Sequence, residues 1–373
     1  MPIEAESPEQ FGYDRIPFNL AESSVSDAQL GSLDVQLDEL VLMYGDHLGR
    51  PGLRAASASD GAGLDADDVL VTPGAAGALF IIATSHLGAG DRVIVARPNY
   101  ATNLETPWAI GAELVPLDLA YGEDWAVDPA RIASLMTPET VSLTNPHNPT
   151  SSTIPEASLN AIIRLVEAHP TARLLIDETY REMTYGGSPS PVAAISERAI
   201  SVGSLSKTYG LPGIRIGWPI TRDRELRDQF LAAKEQILIT NSVVDEVIAE
   251  AVMARRAERL PAILTRIESA LDTTRASLAS DPRFEWIEPS GGVVGFPRIR
   301  PAGRTWSTEA AARFHRILLD EHGTVVGPGH WFGQPPEHFR LGFGWPAPDE
   351  LAGGLQSLSN TLTETLAATV PAG

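Results

Sequence analysis

Five short apolar segments recur between positions 69 and 207, and a glycine-containing or polar turn follows each of them. Stretches of helical character separate most of these segments, which is the pattern that repeated strand–helix–strand units produce. In chain order, the segments span residues 69–73, 92–97, 141–144, 173–176 and 199–203. The pattern predicts an α/β fold whose central sheet is mostly parallel.

Groups suited to ligand binding follow the ends of these segments. Open α/β sheets bind ligands at the carboxyl ends of their strands, and those ends share one edge of a parallel sheet. We therefore expect one site that collects residues far apart in the sequence: Ala75, Tyr100, Asn148, Asp177, Tyr180 and Lys207.

The first segment ends at a Gly-Ala-Ala-Gly turn, residues 74–77, and a helical apolar pattern runs from 78 to 87. The first amides of a helix have no partner within the helix, and the helix dipole is positive at that end. A phosphate would therefore fit at this turn.

The last segment leads into residues 204–215, where one lysine stands among hydroxyls and glycines and an arginine follows eight residues later. A lysine held partly out of water beside another cation loses its proton more readily, and the neutral amine can form a Schiff base. Arg215 could be that cation, and its guanidinium would equally suit a phosphate. The run marks Lys207 as a candidate reactive residue.

Composition narrows the classes of partner. With 373 residues and 43% hydrophobic content, the chain can bury one large core and a smaller one, since single cores stop growing at about 250–300 residues. The 28 basic and 48 acidic side chains give a net charge of −20, which argues against nucleic acid or an anionic membrane as a partner. Without cysteines there are no disulfides or thiolate metal sites, and no metal is expected. The start of the chain lacks a secretory signal, so we expect a cytoplasmic protein.

The remainder of the chain predicts a second lobe. A helical pattern runs from 241 to 280, interrupted at Pro261, where we expect a kink. Beyond it we expect two strands around a Pro-Ser-Gly-Gly turn, a helix at 308–322, a strand at 338–343 and a final helix from Pro348. The first 40 residues lack a strand pattern and are expected to pack on this lobe or on a partner subunit. The predicted division is an N-terminal arm at 1–40, a large ligand-binding domain at 41–255, and a linking helix with a small α+β domain at 256–373.

Taken together, the motifs resemble those of the fold-type I pyridoxal-phosphate enzymes, specifically the class I/II aminotransferase family, and the resemblance covers nearly the whole chain. They stand in the family's order: Tyr44, Gly49 and Leu53-Arg54; Gly74-Ala75-Ala76; Pro98-x-Tyr100; Asn145-Pro-x-Asn148-Pro-Thr150; Asp177-x-x-Tyr180; Ser204-x-Ser-Lys207-x-x-Gly210-x-x-Gly213-x-Arg215-x-Gly217; and Arg340-Leu-Gly-Phe.

The resemblance implies pyridoxal 5′-phosphate as the cofactor and assigns catalytic roles. Lys207 would hold the cofactor as a Schiff base and then move the substrate's α-proton. Asp177 would keep the ring nitrogen protonated, which strengthens the ring as an electron sink. Asn148 and Tyr180 would contact the ring oxygen O3′, and Tyr100 would stack on the ring face.

The resemblance also implies the binding residues. The phosphate would be held by backbone and side chains of Gly74, Ala75, Ala76, Ser204, Ser206 and Arg215. By the same resemblance Tyr44 reaches the phosphate of the neighbouring subunit, which makes the active unit a homodimer. Arg340 would grip the α-carboxylate of an amino-acid substrate with a two-pronged contact, with Asn148 beside it.

The chain departs from the family at two places. Ser151-Ser152 stands where most members carry glycine after the Asn-Pro-Thr turn, and we expect that turn to close all the same. Glu22 lies in a segment where typical aminotransferases show a Gly-x-Pro arrangement lining the substrate pocket, so Glu22 is a candidate substrate-binding residue. With Asn241-Ser242 and the run at 328–333, this variant resembles a subgroup that includes capreomycidine synthase, a cyclising enzyme of specialised metabolism.

Three readings of the activity follow. The first is a transaminase that exchanges the amino group of an α-amino acid with a 2-oxo acid. The second keeps the same site but leads to elimination, cyclisation or carbon–carbon bond formation on a cationic amino acid such as arginine or S-adenosylmethionine. The third is a catalytically silent binding module or regulator, against which the presence of Lys207, Asp177 and Arg340 argues.

Overall fold

The computed structural model describes residues 8–137, 140–301, 303 and 306–367. Within those residues, no helix combines the length and the apolar character needed to cross a lipid bilayer. They form α-helices α1 Pro8–Phe11, α2 Pro51–Ala58, α3 Gly74–His86, α4 Ala101–Ala109, α5 Pro129–Leu135, α6 Glu156–Glu167, α7 Val192–Ile195, α8 Arg224–Ile237, α9 Val243–Ala254, α10 Arg256–Ser280, α11 Thr308–Asp320 and α12 Pro348–Ala367.

The strands of the same residues are β1 Phe18–Asn19, β2 Thr72–Pro73, β3 Arg92–Arg97, β4 Glu113–Asp118, β5 Thr140–Thr144, β6 Arg173–Asp177, β7 Ala199–Ser204, β8 Ile216–Ile220, β9 Phe284–Glu285, β10 Val294–Gly295, β11 Arg298–Ile299, β12 Thr324–Val325, β13 Gly327–Pro328 and β14 Phe339–Gly342.

A seven-stranded sheet forms the centre of the molecule, in the order β2-β8-β7-β6-β5-β3-β4. Strand β8 runs antiparallel to both of its neighbours, β7 and β2, and the other pairings are parallel. The predicted α/β fold with a mixed, mostly parallel sheet is therefore confirmed. All five predicted segments contribute strands, and β4 and β8 are additional.

Helices cover both faces of this sheet because its inner strands are apolar on both faces. Along β6, Leu174 and Ile176 pack with α5 and α6 in one buried cluster. Leu175, on the opposite face, packs with β7 and with Phe230 of α8 in another. The alternation follows the two-residue period of a strand.

A second core lies among α10, α11, α12 and β14, where Phe314, Leu318, Leu355 and Phe339 are buried together. The two strands expected around the Pro-Ser-Gly-Gly turn are present as β9 and β10, but they do not pair with each other: β9 pairs with β11 and β10 pairs with β14. The turn instead bonds across to the large sheet's loops: the Ser290 amide donates to the Ser151 carbonyl at 2.9 Å.

The helical pattern at 241–280 breaks at Arg255, between α9 and α10, and Pro261 lies inside α10. The expectation that Pro261 interrupts the helical pattern is therefore wrong. A proline in the second turn of a helix forfeits one backbone hydrogen bond, whereas Arg255 has φ −110° and ψ 15°, outside the helical values.

The N-terminal segment joins the two regions. Strand β1 pairs in parallel with β12, and residues beyond it run beside the loop that follows β7. The Val25 amide donates to the Lys207 carbonyl at 3.1 Å, and the Ala28 amide donates to the Gly210 carbonyl at 2.8 Å. A Cβ on Gly210, whose φ is +61°, would lie 2.2 Å from the Ser26 carbonyl oxygen, so only glycine permits this close approach.

Candidate active site

Lys207 lies just beyond the carboxyl end of β7, half-buried at the edge of the sheet. Its Nζ donates to the Ser23 hydroxyl at 2.9 Å. The amine is therefore held between the sheet and the N-terminal segment, in a position where a bound molecule could reach it.

Asp177 is the last residue of β6, the strand next to β7, and only 7% of it is exposed. Both the amide and the hydroxyl of Thr179 donate to Asp177 Oδ1. Burial raises the pKa of Asp177, while the Thr179 hydrogen bonds and the positive charge of Lys207 act in the opposite direction. A carboxylate in such a place is stabilised by a cation that binds beside it.

Asn148 and Arg340 meet on the other side of the site. Arg340, on β14, donates from Nη1 to Asn148 Oδ1 at 3.2 Å and from Nη2 to the Ala21 carbonyl at 2.7 Å. Its guanidinium carbon lies 5.1 Å from the centre of the Phe332 ring. Two neutral oxygens thus fix the orientation of the guanidinium, whose planar fork matches the geometry of a carboxylate.

A cradle for an anion lies at the start of α3. Gly74 has φ +75°, and a Cβ built on it would lie 2.6 Å from Nη2 of Arg215. A Cβ on Gly217 would lie 2.5 Å from the Ala75 amide nitrogen, so β8 passes directly beneath the helix end. The first amides of α3, which include those of Ala75 and Ala76, therefore lie close to a guanidinium.

Two hydroxyls lie between the end of β7 and Lys207: Ser204 is the last residue of the strand, and Ser206 directly precedes the lysine. Ser204 Oγ donates to Ser206 Oγ at 2.9 Å, and the Ser206 amide donates back to Ser204 Oγ at 3.0 Å. Both side chains are buried.

The two candidate tyrosines hold different positions. Tyr180 is buried, and its hydroxyl donates to the Ser23 carbonyl at 3.0 Å. Tyr100 is the residue before α4 and packs, with Ala75, against the buried cluster that includes Val202.

Glu22 faces the site from the N-terminal segment. Its Oε1 accepts a hydrogen bond from the Tyr13 hydroxyl at 3.0 Å. Burial raises the pKa of Glu22, and the positive charges of Lys207 and Arg340 act against that rise. Glu22 is therefore close enough to both cations to interact with them electrostatically.

Tyr44 is the most exposed of the predicted aromatic site residues. Its side chain is 76% exposed, and it ends a run of exposed apolar residues: Val41, Leu42, Met43 and Tyr44.

Sequence reasoning missed three residues that contact the site: Tyr13, Ser23 and Thr179. Thr179 could have been found from its place two residues after Asp177, since a hydroxyl at that offset commonly bonds a preceding aspartate. Ser23 and Tyr13 carry no such signal, because their segment has no regular period. Ser151, in the turn expected to close, has φ +56°, so the turn does close with serine in the left-handed region.

Metal ligands form no cluster here: within the described ranges, no group of three or more histidine or acidic side chains could hold a metal ion.

The model of the family described as aminotransferase class I and II matches residues 28–352 of the chain. The chain belongs to this family. Class I and II aminotransferases similar to it include the arginine–pyruvate transaminase of Pseudomonas aeruginosa, 31% identical over 80% of this chain and 77% of the relative. The capreomycidine synthase of Streptomyces vinaceus is also 31% identical, over 88% of this chain and 82% of the relative.

Solved structures give the same result for the fold. A PLP-dependent aminotransferase from Streptococcus suis superposes with a TM-score of 0.87 at 26% identity, covering 95% of this chain and 96% of its own. The PLP-dependent cyclase OrfR superposes with a TM-score of 0.87 at 30% identity, covering 98% of this chain and 99% of its own. This aminotransferase-family chain is therefore a fold-type I enzyme whose cofactor is pyridoxal 5′-phosphate.

The residues present fit that cofactor. The start of α3 and the guanidinium of Arg215 lie so close together that a Cβ on Gly74 would clash with Arg215. Both the helix amides and the guanidinium bind anions, so the phosphate of the cofactor fits between them. Asp177 is a buried carboxylate that a protonated ring nitrogen would complement. Lys207 lies close enough to Asp177 to interact with it electrostatically. One cofactor molecule could therefore be bonded to Lys207 while its ring nitrogen contacts Asp177.

Proposed function

We propose that this enzyme is an aminotransferase that takes the amino group from an α-amino acid, with Lys207 covalently holding the cofactor. The observation that supports this most is the grouping of Lys207, Asp177 and Arg340 around one sheet edge, because it supplies an amine, an anion for the ring and a cation for the substrate. The first test is Lys207→Ala. It should lower turnover by at least about 10⁴-fold, as loss of a covalent catalytic residue does; turnover within tenfold of the wild type would refute the assignment.

When bound, the cofactor supplies a ring that accepts the electron pair left when a bond to the substrate's α-carbon breaks. Asp177 would act on this step by keeping a proton on the ring nitrogen. Asn148 and Tyr180 would contact the ring oxygen, and Tyr100 would cover one face of the ring. Lys207 Nζ would then accept the proton from the α-carbon and return it. The Ser23 hydroxyl, 2.9 Å from that amine, would orient it.

The phosphate would be held at the cradle of Gly74 and Arg215, with the amides of Ala75 and Ala76 and the hydroxyls of Ser204 and Ser206 as further donors. Charge-assisted contacts to a helix start and a guanidinium are strong enough to anchor a cofactor through a catalytic cycle.

Arg340 would bind the α-carboxylate of the substrate, with Asn148 beside it. The 3.2 Å contact between Arg340 and Asn148 supports this, because it sets the guanidinium plane near the ring-contacting amide. A planar guanidinium also matches the geometry of a carboxylate.

The proposal includes a homodimer. The run Val41–Met43 is exposed together with Tyr44, and an apolar run of this kind is covered when two copies associate. In that dimer Tyr44 would reach the phosphate of the partner subunit. The proposed location is the cytoplasm, where free amino acids and 2-oxo acids are both present.

A second candidate activity is elimination, cyclisation or carbon–carbon bond formation on a cationic amino acid, in specialised metabolism. One observation favours a cationic substrate: Glu22 faces the site and interacts electrostatically with Lys207 and Arg340. A guanidinium, ammonium or sulfonium on the substrate's distal end would be a further positively charged partner for this carboxylate. The name of one relative, an arginine–pyruvate transaminase, contains an amino acid of this kind.

The holoenzyme should be offered the common amino acids and S-adenosylmethionine, one at a time, without an amino acceptor. Transamination predicts that the cofactor spectrum changes to that of the amine form and that mass spectrometry detects one equivalent of 2-oxo acid. The second activity predicts a cyclised, shortened or coupled product with the cofactor spectrum restored. A chain that leaves every substrate unchanged would contradict both.

A further inference from the structure

The chain contains only two lysines, Lys207 and Lys234, while its other basic side chains are arginines. Lys234 lies on α8 and is 0% exposed. Its Nζ donates to the His47 carbonyl at 2.7 Å. A lysine is almost never fully buried unless it is paired, so this position needs an account.

His47, whose carbonyl binds Lys234, belongs to a short turn at residues 46–50, and the carbonyls of the residues that follow His47 also accept hydrogen bonds from other parts of the fold. The Leu48 carbonyl accepts from the Val71 amide at 2.8 Å, and the Gly49 carbonyl accepts from Arg54 Nε at 3.0 Å. Together with the bond from Lys234 to His47, three successive carbonyls are each held by a different part of the fold.

Glu246, on α9, holds the same turn from the other side. It is 1% exposed, and its Oε2 accepts from the Arg50 amide at 2.9 Å. Burial lowers the pKa of Lys234 to about 8, and the negative charges of Glu246, Asp46 and Glu235 act against that fall. The ammonium is thus matched by acidic groups from α8, α9 and the turn itself.

The exposed run from Val41 to Tyr44 comes immediately before this turn. Only Gly45 separates Tyr44 from the turn at residues 46–50, so a displacement of this turn would also move Tyr44. A second pair of exposed apolar residues, Ile237 and Ile239, lies at the end of the helix that carries Lys234. The bond from Lys234 to His47 ties these two exposed segments together.

We propose that Lys234 is a positioning residue for the cofactor: through the His47 carbonyl it fixes the turn that aims Tyr44 at the phosphate of the partner subunit. This inference rests on the proposed function, in which Tyr44 contacts that phosphate. Methionine would fill the same space but would leave a buried carbonyl without a donor, so the turn would lose one of its three fixed points.

The test is a double-mutant cycle on cofactor affinity, using Lys234→Met, Tyr44→Phe and the double variant. The dissociation constant of pyridoxal phosphate is measured by titrating each apoenzyme, with sedimentation to follow the dimer. We expect Tyr44→Phe and Lys234→Met each to weaken cofactor binding about tenfold, which is the loss that one hydrogen bond explains. In the Tyr44→Phe background, Lys234→Met should weaken cofactor binding by less than about threefold, because both changes act through the same contact. Hydrogen exchange at residues 46–50 should be faster in Lys234→Met.

A purely structural role for Lys234 predicts a different result. Lys234→Met would then lower the melting temperature and weaken cofactor binding by the same factor whether residue 44 is tyrosine or phenylalanine. That result would overturn the inference. If Tyr44→Phe leaves cofactor affinity unchanged, the phosphate contact assigned to Tyr44 fails, and the inference fails with it. If Lys234→Met does not fold, Glu246→Gln takes its place in the cycle. The expected loss is then about threefold with the same lack of additivity, and equal losses in both backgrounds overturn the inference.

Discussion

The active site has a floor and a rim that are built differently. The floor consists of three residues at the carboxyl ends of neighbouring strands: Asn148, Asp177 and Lys207. The rim consists of residues from the N-terminal segment and β14: Tyr13, Glu22, Ser23 and Arg340. The floor is positioned by the register of the sheet, and the rim by individual hydrogen bonds.

Those bonds connect the rim to the floor at few points. The Ser23 hydroxyl accepts a hydrogen bond from Lys207, and Arg340 donates one to Asn148. A change in the rim therefore leaves the strand pairing of the floor intact. We infer that the floor sets the chemistry and that the rim sets which substrate is accepted, and the predictions below test this division.

The largest effect is expected in the floor. Asp177→Asn should retain the cofactor but lower kcat about a thousandfold, because the ring nitrogen loses the carboxylate that keeps it protonated, at about 1.4 kcal/mol per pKa unit. Steady-state kinetics with a saturating substrate measures this. Thr179→Val is the matched control: it removes a hydrogen bond to Asp177 and keeps the charge, so we expect less than a tenfold loss. A kcat for Asp177→Asn close to that of the wild type would show that Asp177 is structural.

The next effect separates the rim from the floor. Arg340→Lys replaces a planar fork by a point charge and should raise KM for α-amino acids about a hundredfold, while the spectrum of the resting enzyme stays unchanged. An amine without an α-carboxylate serves as the comparison substrate and should lose little. Equal losses on both substrates would remove Arg340 from the carboxylate-binding role.

Glu22→Gln should affect one class of substrate. The variant keeps the shape and removes the charge, so kcat/KM for a cationic amino acid should fall about 10- to 100-fold, at about 1.4 kcal/mol per factor of ten, with little change for a neutral one. Tyr13→Phe removes the hydrogen bond to Glu22 but keeps its charge, and we expect it to preserve the preference. If both substrate classes respond equally to Glu22→Gln, Glu22 does not select the substrate.

The smallest effect concerns a buried group beside the floor that takes no part in the proposed chemistry. Burial raises the pKa of Glu178 from its ordinary 4.5 to about 7. The folded state thus binds a proton more tightly than the unfolded one, and the stability that this contributes is present below about pH 4.5 and lost as the pH rises through 7. Urea unfolding of the apoenzyme should show Glu178→Gln gaining about 1–3 kcal/mol on the wild type between pH 5 and pH 8. A difference independent of pH would mean that Glu178 is not protonated in the fold.

The residues of the floor could be predicted from the sequence because each of them follows a short apolar segment that is recognisable as a strand. Asp177 follows such a segment, and Lys207 follows Ala199–Ser204 within a dense motif. The two strands of the seven-stranded sheet that were not predicted, β4 and β8, both contain a proline, Pro116 and Pro219, and a proline argues against a strand when the sequence is read alone.

The residues of the rim could be predicted from the sequence only in part. Arg340 and Glu22 were found through motif resemblance and a departure from it, whereas Ser23 was not, because its contact with Lys207 spans 184 residues and no local pattern marks it. The break at Arg255 was missed because Pro261 is the conspicuous residue in the sequence, whereas the backbone leaves helical geometry at Arg255, which no local pattern marks.

The central claim is that Lys207 is the residue bound to the cofactor, and the chain's two lysines make a direct test possible. The holoenzyme is treated with borohydride, which fixes the cofactor on its lysine, and is then digested and mapped by mass spectrometry. The account predicts the label on the peptide containing Lys207 and none on the peptide containing Lys234, whose amine is buried against the His47 carbonyl. A label on Lys234, or no label on Lys207, would contradict it.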